Sequence, residues 1–361
     1  MEQVSANGQG AHGGEIIAMA ARLGCRVADI LDMSSNLTPL GMVPGLKEEL
    51  VARLEEIAFL PEGGSETLAR AFAARFGLDA SRVLVGNGTT EFIYAVPTAT
   101  SCTRALVVAP TYGDYRPAGE WAGLAVDFFT LLAEEDFALD LPRLSGQLAG
   151  GEMVFLCNPN NPTARVVPSR ILLDFIMAHP ASDFVVDESY LPFVDEPSLA
   201  SFPLPDNLFL LSSFSKIYGI PGLRLGFLLA GNGKATLLSS RRKPWGVNRL
   251  AQVAGEFLLA HGDDYAASVR RYVRETRPVF TAALGRLPGV KVVEGSANFI
   301  LCRLQGPLTA HDLREAMLTR LIMIRDCSNF TGLDPFYFRL SLKNEAGNQR
   351  CLDALARILG G

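Results

Sequence analysis

The chain has 361 residues, 48% of them hydrophobic and 20% charged, with a formal net charge of −5 at pH 7. That length encloses two domains or one large α/β domain around a sizeable core, and the acidity gives no electrostatic reason to bind nucleic acid or an anionic membrane. No run reaches the roughly 18 apolar residues that span a bilayer; six cysteines lie scattered without a Cys-x-x-Cys pair, so free thiols in a reducing cytoplasm are expected and a metal site is not.

The first dozen residues read as a flexible arm, and Met1-Glu2-Gln3-Val4-Ser5 lacks the basic-then-apolar layout of a secretory signal. Helical periodicity predicts helices over residues 14–24, 45–57 and 65–76. Val83-Leu84-Val85 is a short strand, followed by Gly86-Asn87-Gly88 and a helix from about Thr90. Residues 105–108, 153–156 and 184–186 are continuous apolar runs, each ending in Pro, Asn or Asp. Such runs between helical stretches predict a mostly parallel sheet covered by helices on both faces. Functional side chains then belong at the carboxyl ends of the strands, where Gly88, Tyr112, Asn161, Asp187 and Lys216 stand. A helical stretch follows over residues 250–284, and Pro278 should kink or end it. Beyond it, residues 290–293, 299–302 and 338–342 predict strands of a smaller α+β unit. The expected division is residues 1–35 as an arm and helix packing with the small domain, 36–250 as the large domain, and 251–361 as the small one.

Lys216 follows the apolar run Leu208-Phe209-Leu210-Leu211, between Ser215 and Ile217, with Arg224 eight positions on. A lysine buried at a strand end loses basicity, which suits an amine that must form an imine. The neighbouring hydroxyls and Arg224 would bind a phosphate; the plainer alternative is a surface lysine on a loop. Gly86-Asn87-Gly88-Thr89-Thr90-Glu91 turns from strand to helix and offers backbone N–H groups to a phosphate. Glu91 replaces the third glycine of the dinucleotide fingerprint, and no Gly-Lys-Ser/Thr follows, so a smaller phosphorylated cofactor fits better. Asp187 ends an apolar strand and needs a cationic or hydrogen-bonding partner, such as the ring nitrogen of a pyridine cofactor. Asn161, in Asn158-Pro159-Asn160-Asn161-Pro162, can reach a ring hydroxyl, and Tyr112 can stack on a ring. Taken singly, a helix cap, a proline turn and core packing explain these three equally well.

In this order and spacing the pieces resemble the pyridoxal-phosphate enzymes of the aspartate aminotransferase fold, over nearly the whole chain. The resemblance implies that Lys216 forms the Schiff base with the cofactor aldehyde, that Asp187 pairs with the pyridine nitrogen, and that Tyr112 stacks on the ring. It implies that Asn161 and Tyr190 hold the ring hydroxyl, while Gly88, Thr89, Thr90, Ser213, Ser215 and Arg224 cradle the phosphate. Within that superfamily the chain is similar to the histidinol-phosphate aminotransferase branch, and inside it to the threonine-phosphate decarboxylases of cobalamin synthesis. Four segments (His12-Gly13-Gly14, residues 34–41, Pro244-Trp245-Gly246-Val247-Asn248 and residues 324–334) carry this second step, and the aminotransferases usually show a different pattern there.

On that resemblance Arg339 grips a substrate α-carboxylate, Arg325 lies near a distal phosphate, and His12, Asn36 and Asn161 line the substrate side. The implied reaction is decarboxylation of L-threonine O-3-phosphate to (R)-1-amino-2-propanol O-2-phosphate by a cytoplasmic homodimer, its active site near the dimer interface. The alternatives are an aminotransferase acting on histidinol phosphate or a similar amine, and a serine-phosphate decarboxylase. Two positions depart from the pattern: Leu60 stands where a tyrosine usually reaches across a dimer interface, and Ala164 where glycine usually follows Asn-Pro-Thr.

Overall fold

The structure, a computed structural model, describes residues 14–360. Helix Ile16–Leu23 leads into β1 (Leu31–Asp32), and helices Leu46–Ala52 and Glu66–Ala74 follow, with a 3₁₀ turn at Leu54–Ala58. The large sheet comprises β2 (Val83–Asn87), β3 (Arg104–Ala109), β4 (Ala125–Thr130), β5 (Glu152–Cys157), β6 (Asp183–Asp187), β7 (Leu208–Ser213) and β8 (Leu225–Ala230). Its order is β2-β8-β7-β6-β5-β3-β4, with β8 antiparallel to both neighbours and the other pairings parallel. Strands β5 and β8 are buried along their whole length, whereas the edge strand β4 is mostly half-buried or exposed. This is what continuous apolar runs sandwiched between helix layers produce.

The smaller sheet is built from β9 (Val290–Val292), β10 (Phe299–Leu304), β12 (Arg325–Asp326) and β13 (Tyr337–Ser341), in the order β12-β13-β10-β9. β1 forms a separate parallel pair with β11 (Ile322–Met323), so the beginning of the chain is tied beside its end. The expected α/β architecture with a large mostly parallel sheet is the one observed.

The long helical stretch breaks elsewhere than Pro278. Helix Arg249–His261 ends at Gly262, and helix Asp263–Gly285 continues past Pro278 without ending there. A side chain at 262 would lie 2.6 Å from the Leu258 carbonyl oxygen and 2.8 Å from the Tyr218 ring, so the close crossing requires glycine. Pro278 sits on an exposed face, where water can satisfy the carbonyl that loses its helical donor. Thr281 Oγ1 adds hydrogen bonds to the Arg277 and Pro278 carbonyls, at 2.9 and 3.0 Å. Among the described residues no helix is long and apolar enough to cross a membrane.

Candidate active site

Parallel strands bring their carboxyl ends to one edge, and there one cavity of about 90 Å³ is lined by every residue expected to hold the cofactor. Asp187 closes β6 and pairs in register with Leu211 of β7. Five residues beyond Leu211, Lys216 lies on the single helical turn Phe214–Ile217. Both side chains face the same cavity and feel each other's charge.

One end of the cavity is a donor cradle. Gly88 (φ 76°) caps helix Thr89–Thr98, whose first amides and hydroxyls at Thr89 and Thr90 turn inward. A Cβ on residue 88 would come within 2.5 Å of Arg224 Nη2, so only glycine lets the guanidinium lie against this turn. Arg224 itself adopts φ 59°, a left-handed conformation that strains a residue with a side chain and is kept where the surroundings demand it. Ser213 and Ser215 complete the cradle, and the buried Ser215 Oγ has no partner among the described residues. Backbone amides, hydroxyls and one guanidinium suit a phosphate.

At the other end the Asp187 carboxylate is buried and held on both oxygens. The Tyr115 hydroxyl donates to Oδ2 at 2.9 Å and the Ser189 amide to Oδ1 at 2.9 Å. Burial raises the carboxyl above its usual range, opposed by Ser189, Tyr115 and the Lys216 cation. Lys216 moves the opposite way. Burial first, then the Arg339 and Arg224 cations, lower its amine to about 8, with Asp187 and Asp32 pulling back. A substantial neutral fraction is therefore present at mildly alkaline pH, as a nucleophilic lysine requires. Tyr190 is buried and raised to about 12, and Asn161 sits on a loop between cis Asn158-Pro159 and cis Asn161-Pro162 bonds.

The residues expected on the substrate side adjoin this cavity. Arg339 of β13 donates through Nη1 to Asn161 Oδ1 and through Nη2 to the Ser34 carbonyl at 2.6 Å, and its Nε is buried without a partner. Asn36 Oδ1 accepts from Ser341 Oγ at 3.0 Å. Arg325 lies across Tyr112, in a neighbouring cavity of about 170 Å³, with Nη2 donating to Asn329 Oδ1 at 2.8 Å. His12 lies outside the described residues.

Reading the sequence missed Tyr115, Cys157 and Ser189, which line the same cavity. Tyr115 opens helix Tyr115–Trp121, three positions after Tyr112, and the two rings meet edge-on at 5.7 Å. Ala164, at the place where the resemblance expects glycine, has φ 58°, a left-handed conformation. Leu60 is 75% exposed and reaches nothing in its own site.

The family described as aminotransferase class I and II matches residues 28–355. A threonine-phosphate decarboxylase of Salmonella typhimurium is 34% identical over 97% of this chain and 97% of its own. A histidinol-phosphate aminotransferase of Desulfitobacterium hafniense is 32% identical over 92% of this chain and 93% of its own. The crystal structure of L-threonine-O-3-phosphate decarboxylase from Porphyromonas gingivalis superposes with a TM-score of 0.83 at 33% identity, covering 92% of this chain and 100% of that one. The fold, the donor cradle, the strand-end acid and amine, and these likenesses agree: the chain belongs to the aminotransferase class I and II family and is a pyridoxal-phosphate-dependent enzyme.

Proposed function

We propose that the enzyme decarboxylates L-threonine O-3-phosphate to (R)-1-amino-2-propanol O-2-phosphate, a step of cobalamin synthesis. The observation that carries this reading is the register of β12 on β13, where Arg325 and Arg339 are direct cross-strand partners, both buried. Residues so paired project from the same face, and like charges there oppose folding. Burial, and the Arg339 cation beside it, depress the Arg325 guanidinium. A small substrate bearing a carboxylate and a phosphate offsets both cations, each guanidinium being able to make two charge-assisted hydrogen bonds.

Pyridoxal phosphate, when bound, supplies an aldehyde for amines and a pyridinium ring that draws electrons from the substrate α-carbon. The cradle from Gly88 to Thr90 with Ser213, Ser215 and Arg224 would hold its phosphate. Asp187 would keep a proton on its ring nitrogen, Asn161 and Tyr190 would meet its hydroxyl, and Tyr112 would cover its face. Arg339 and Arg325 would hold the two ends of the substrate and so set how the bonds of its α-carbon are turned within the site. Decarboxylation would break the bond to the carboxylate, which leaves as carbon dioxide. Lys216 Nζ, or water beside it, then delivers a proton to the α-carbon. Displacements of about 1 Å suffice to change such an outcome.

The test is to incubate purified protein with L-threonine O-3-phosphate and trap carbon dioxide. Release without any oxo acid supports the reading. Amino transfer that depends on 2-oxoglutarate, without release, overturns it in favour of the aminotransferase, the reading that the Desulfitobacterium relative supports. Serine phosphate, one methyl group smaller, belongs in the same assay because a methyl changes binding by only about 1–3 kcal/mol.

We also propose a cytoplasmic homodimer with a large domain over residues 36–250 and a small one over 251–361, the segment before residue 36 packing with the small domain. The described cysteines are free, in keeping with a reducing compartment. Val51, Leu54, Ile57, Phe59 and Leu60 expose apolar side chains along one stretch, the kind of surface that a second copy covers. Light scattering of the purified protein at twice the chain mass is the expected result.

A further inference from the structure

A turn fastened by one carboxylate links the carboxylate-gripping arginine to the reactive lysine. Asp32 ends β1, in register with Met323 of β11. Its Oδ1 accepts from the Ser34 amide at 2.8 Å, the Ser34 hydroxyl at 2.7 Å and the Ser35 amide at 3.2 Å, and its Oδ2 accepts from the Ser35 hydroxyl. So tied, the turn presents its carbonyls away from Asp32. The Ser34 carbonyl takes Arg339 Nη2 at 2.6 Å, and the Ser35 carbonyl takes Ser341 Oγ at 2.7 Å and Lys343 Nζ at 3.5 Å. Ser341 Oγ also reaches Asn36 Oδ1, and three residues along from Ser35 the Thr38 amide donates to the Lys216 carbonyl at 3.0 Å. The Ser34 hydroxyl further accepts from the Gly14 amide at 3.2 Å, where the amino-terminal segment enters.

We propose that Asp32 is a positioning residue for the substrate α-carboxylate: it sets the Ser34–Asn36 turn that aims Arg339. Arg339 has three anchoring contacts in view. Nη1 is spent on Asn161 and Nη2 on Ser34, while the guanidinium lies over the Phe299 ring with its carbon 5.5 Å from the ring centre. A planar guanidinium held at both ends can offer its remaining N–H groups in only one direction. Releasing the Ser34 carbonyl frees one of those ends, and the bidentate geometry a carboxylate needs is lost with it. Asp32 touches no ligand in this scheme, and its influence passes through the turn. The inference rests on the proposed reading of Arg339 as the carboxylate ligand.

The experiment compares two ligands that differ in the carboxylate alone: L-threonine O-3-phosphate and its decarboxylated amine, 1-amino-2-propanol O-2-phosphate. Binding is measured by calorimetry on protein saturated with cofactor, in a Lys216→Ala background so that neither ligand turns over. Asp32→Ala is expected to weaken the carboxylate-bearing ligand about tenfold, the scale of one lost hydrogen bond to a charged group, and to leave the amine within about twofold. Asp32→Asn keeps one acceptor oxygen for the turn and is expected to restore part of the loss; it also replaces Asp32→Ala should that variant fail to fold. Equal weakening of both ligands, or of neither, overturns the role given to Asp32 while leaving the proposed reaction standing. If the parent protein binds neither ligand, the substrate reading fails and the inference falls with it.

Discussion

The Tyr115 hydroxyl donates a 2.9 Å hydrogen bond to Asp187 Oδ2 from a ring that is wholly buried. That ring stacks on Phe155 at 5.3 Å and meets Tyr112 edge-on at 5.7 Å, so its hydroxyl is fixed from two sides. Together with the Ser189 amide it holds the carboxylate in one plane and opposes the upward pull that burial exerts on it. Tyr115→Phe keeps the packing and removes the donor. The expected result is cofactor binding weakened about tenfold, on the scale of a hydrogen bond to a charged group, measured by titrating the apoprotein. Unchanged affinity would show that the contact is mere packing.

The Lys216 amine, lowered to about 8, sets a pH dependence that can be read without substrate. Only its neutral form attacks an aldehyde, so cofactor attachment to apoprotein should accelerate as pH rises towards about 8 and level off above it. Stopped-flow absorbance follows this directly. The same shift has a sign for stability: between about 8 and the ordinary 10.5 the unfolded chain binds the proton that the folded chain has released. Stability from this group therefore rises with pH across that window and is lowest below it. A rate flat through pH 8 would refute the assignment.

Gly88 should tolerate no side chain. Its φ of 76° strains any residue with a side chain, and the 2.5 Å approach of Arg224 Nη2 to a Cβ there pushes the guanidinium off the turn. Gly88→Ala is expected to cost cofactor affinity on the order of a hundredfold, two hydrogen bonds to the phosphate being lost together. The melting temperature of the apoprotein should fall by only a few degrees, because the backbone strain at φ 76° and ψ 169°, on the order of 1–3 kcal/mol, is local. Equal cofactor affinity in the variant would remove the cradle from the proposal.

Glu188, next to Asp187, points away from the cofactor cavity and accepts from Ser198 Oγ and the Leu199 amide. Burial raises its carboxyl from 4.5 to about 7. The folded chain thus holds a proton through that window that the unfolded chain has lost, so this stabilisation is complete below 4.5 and gone above about 7. Glu188→Gln imitates the protonated form and should flatten the fall in melting temperature across the window. Above pH 7 it should exceed the parent by about 1–3 kcal/mol, less whatever the Ser198 contact loses. A parent-like pH profile in the variant would mean the group is not buried as a neutral acid.

Much of the site was legible because it depends on local pattern. The apolar runs ending at Asp187 and before Lys216 announce buried parallel strands, and the proline, glycine and hydroxyl residues after them announce turns at one sheet edge. Ala164 was legible as a departure because the resemblance expects glycine after Asn-Pro-Thr, whereas its left-handed φ of 58° is visible only in the structure. Pro278 misled because a helix boundary is decided by solvent access and by what packs on the chain. Its exposed face tolerates the missing donor, whereas the break comes at Gly262, where Tyr218 crosses.

From residue order alone came the α/β architecture, the lysine with its lowered basicity, the acid at 187 and the glycine turn, since each follows from periodicity and from the chemistry of neighbours along the chain. Tertiary structure alone decided that Arg325 faces Arg339, that Tyr115 holds Asp187, and that Asp32 ties a turn touching both Arg339 and Lys216. Those contacts join residues far apart in sequence through strand register and helix packing. Register and packing are settled by the whole core at once, because moving a strand by one residue turns every side chain on it to the opposite face.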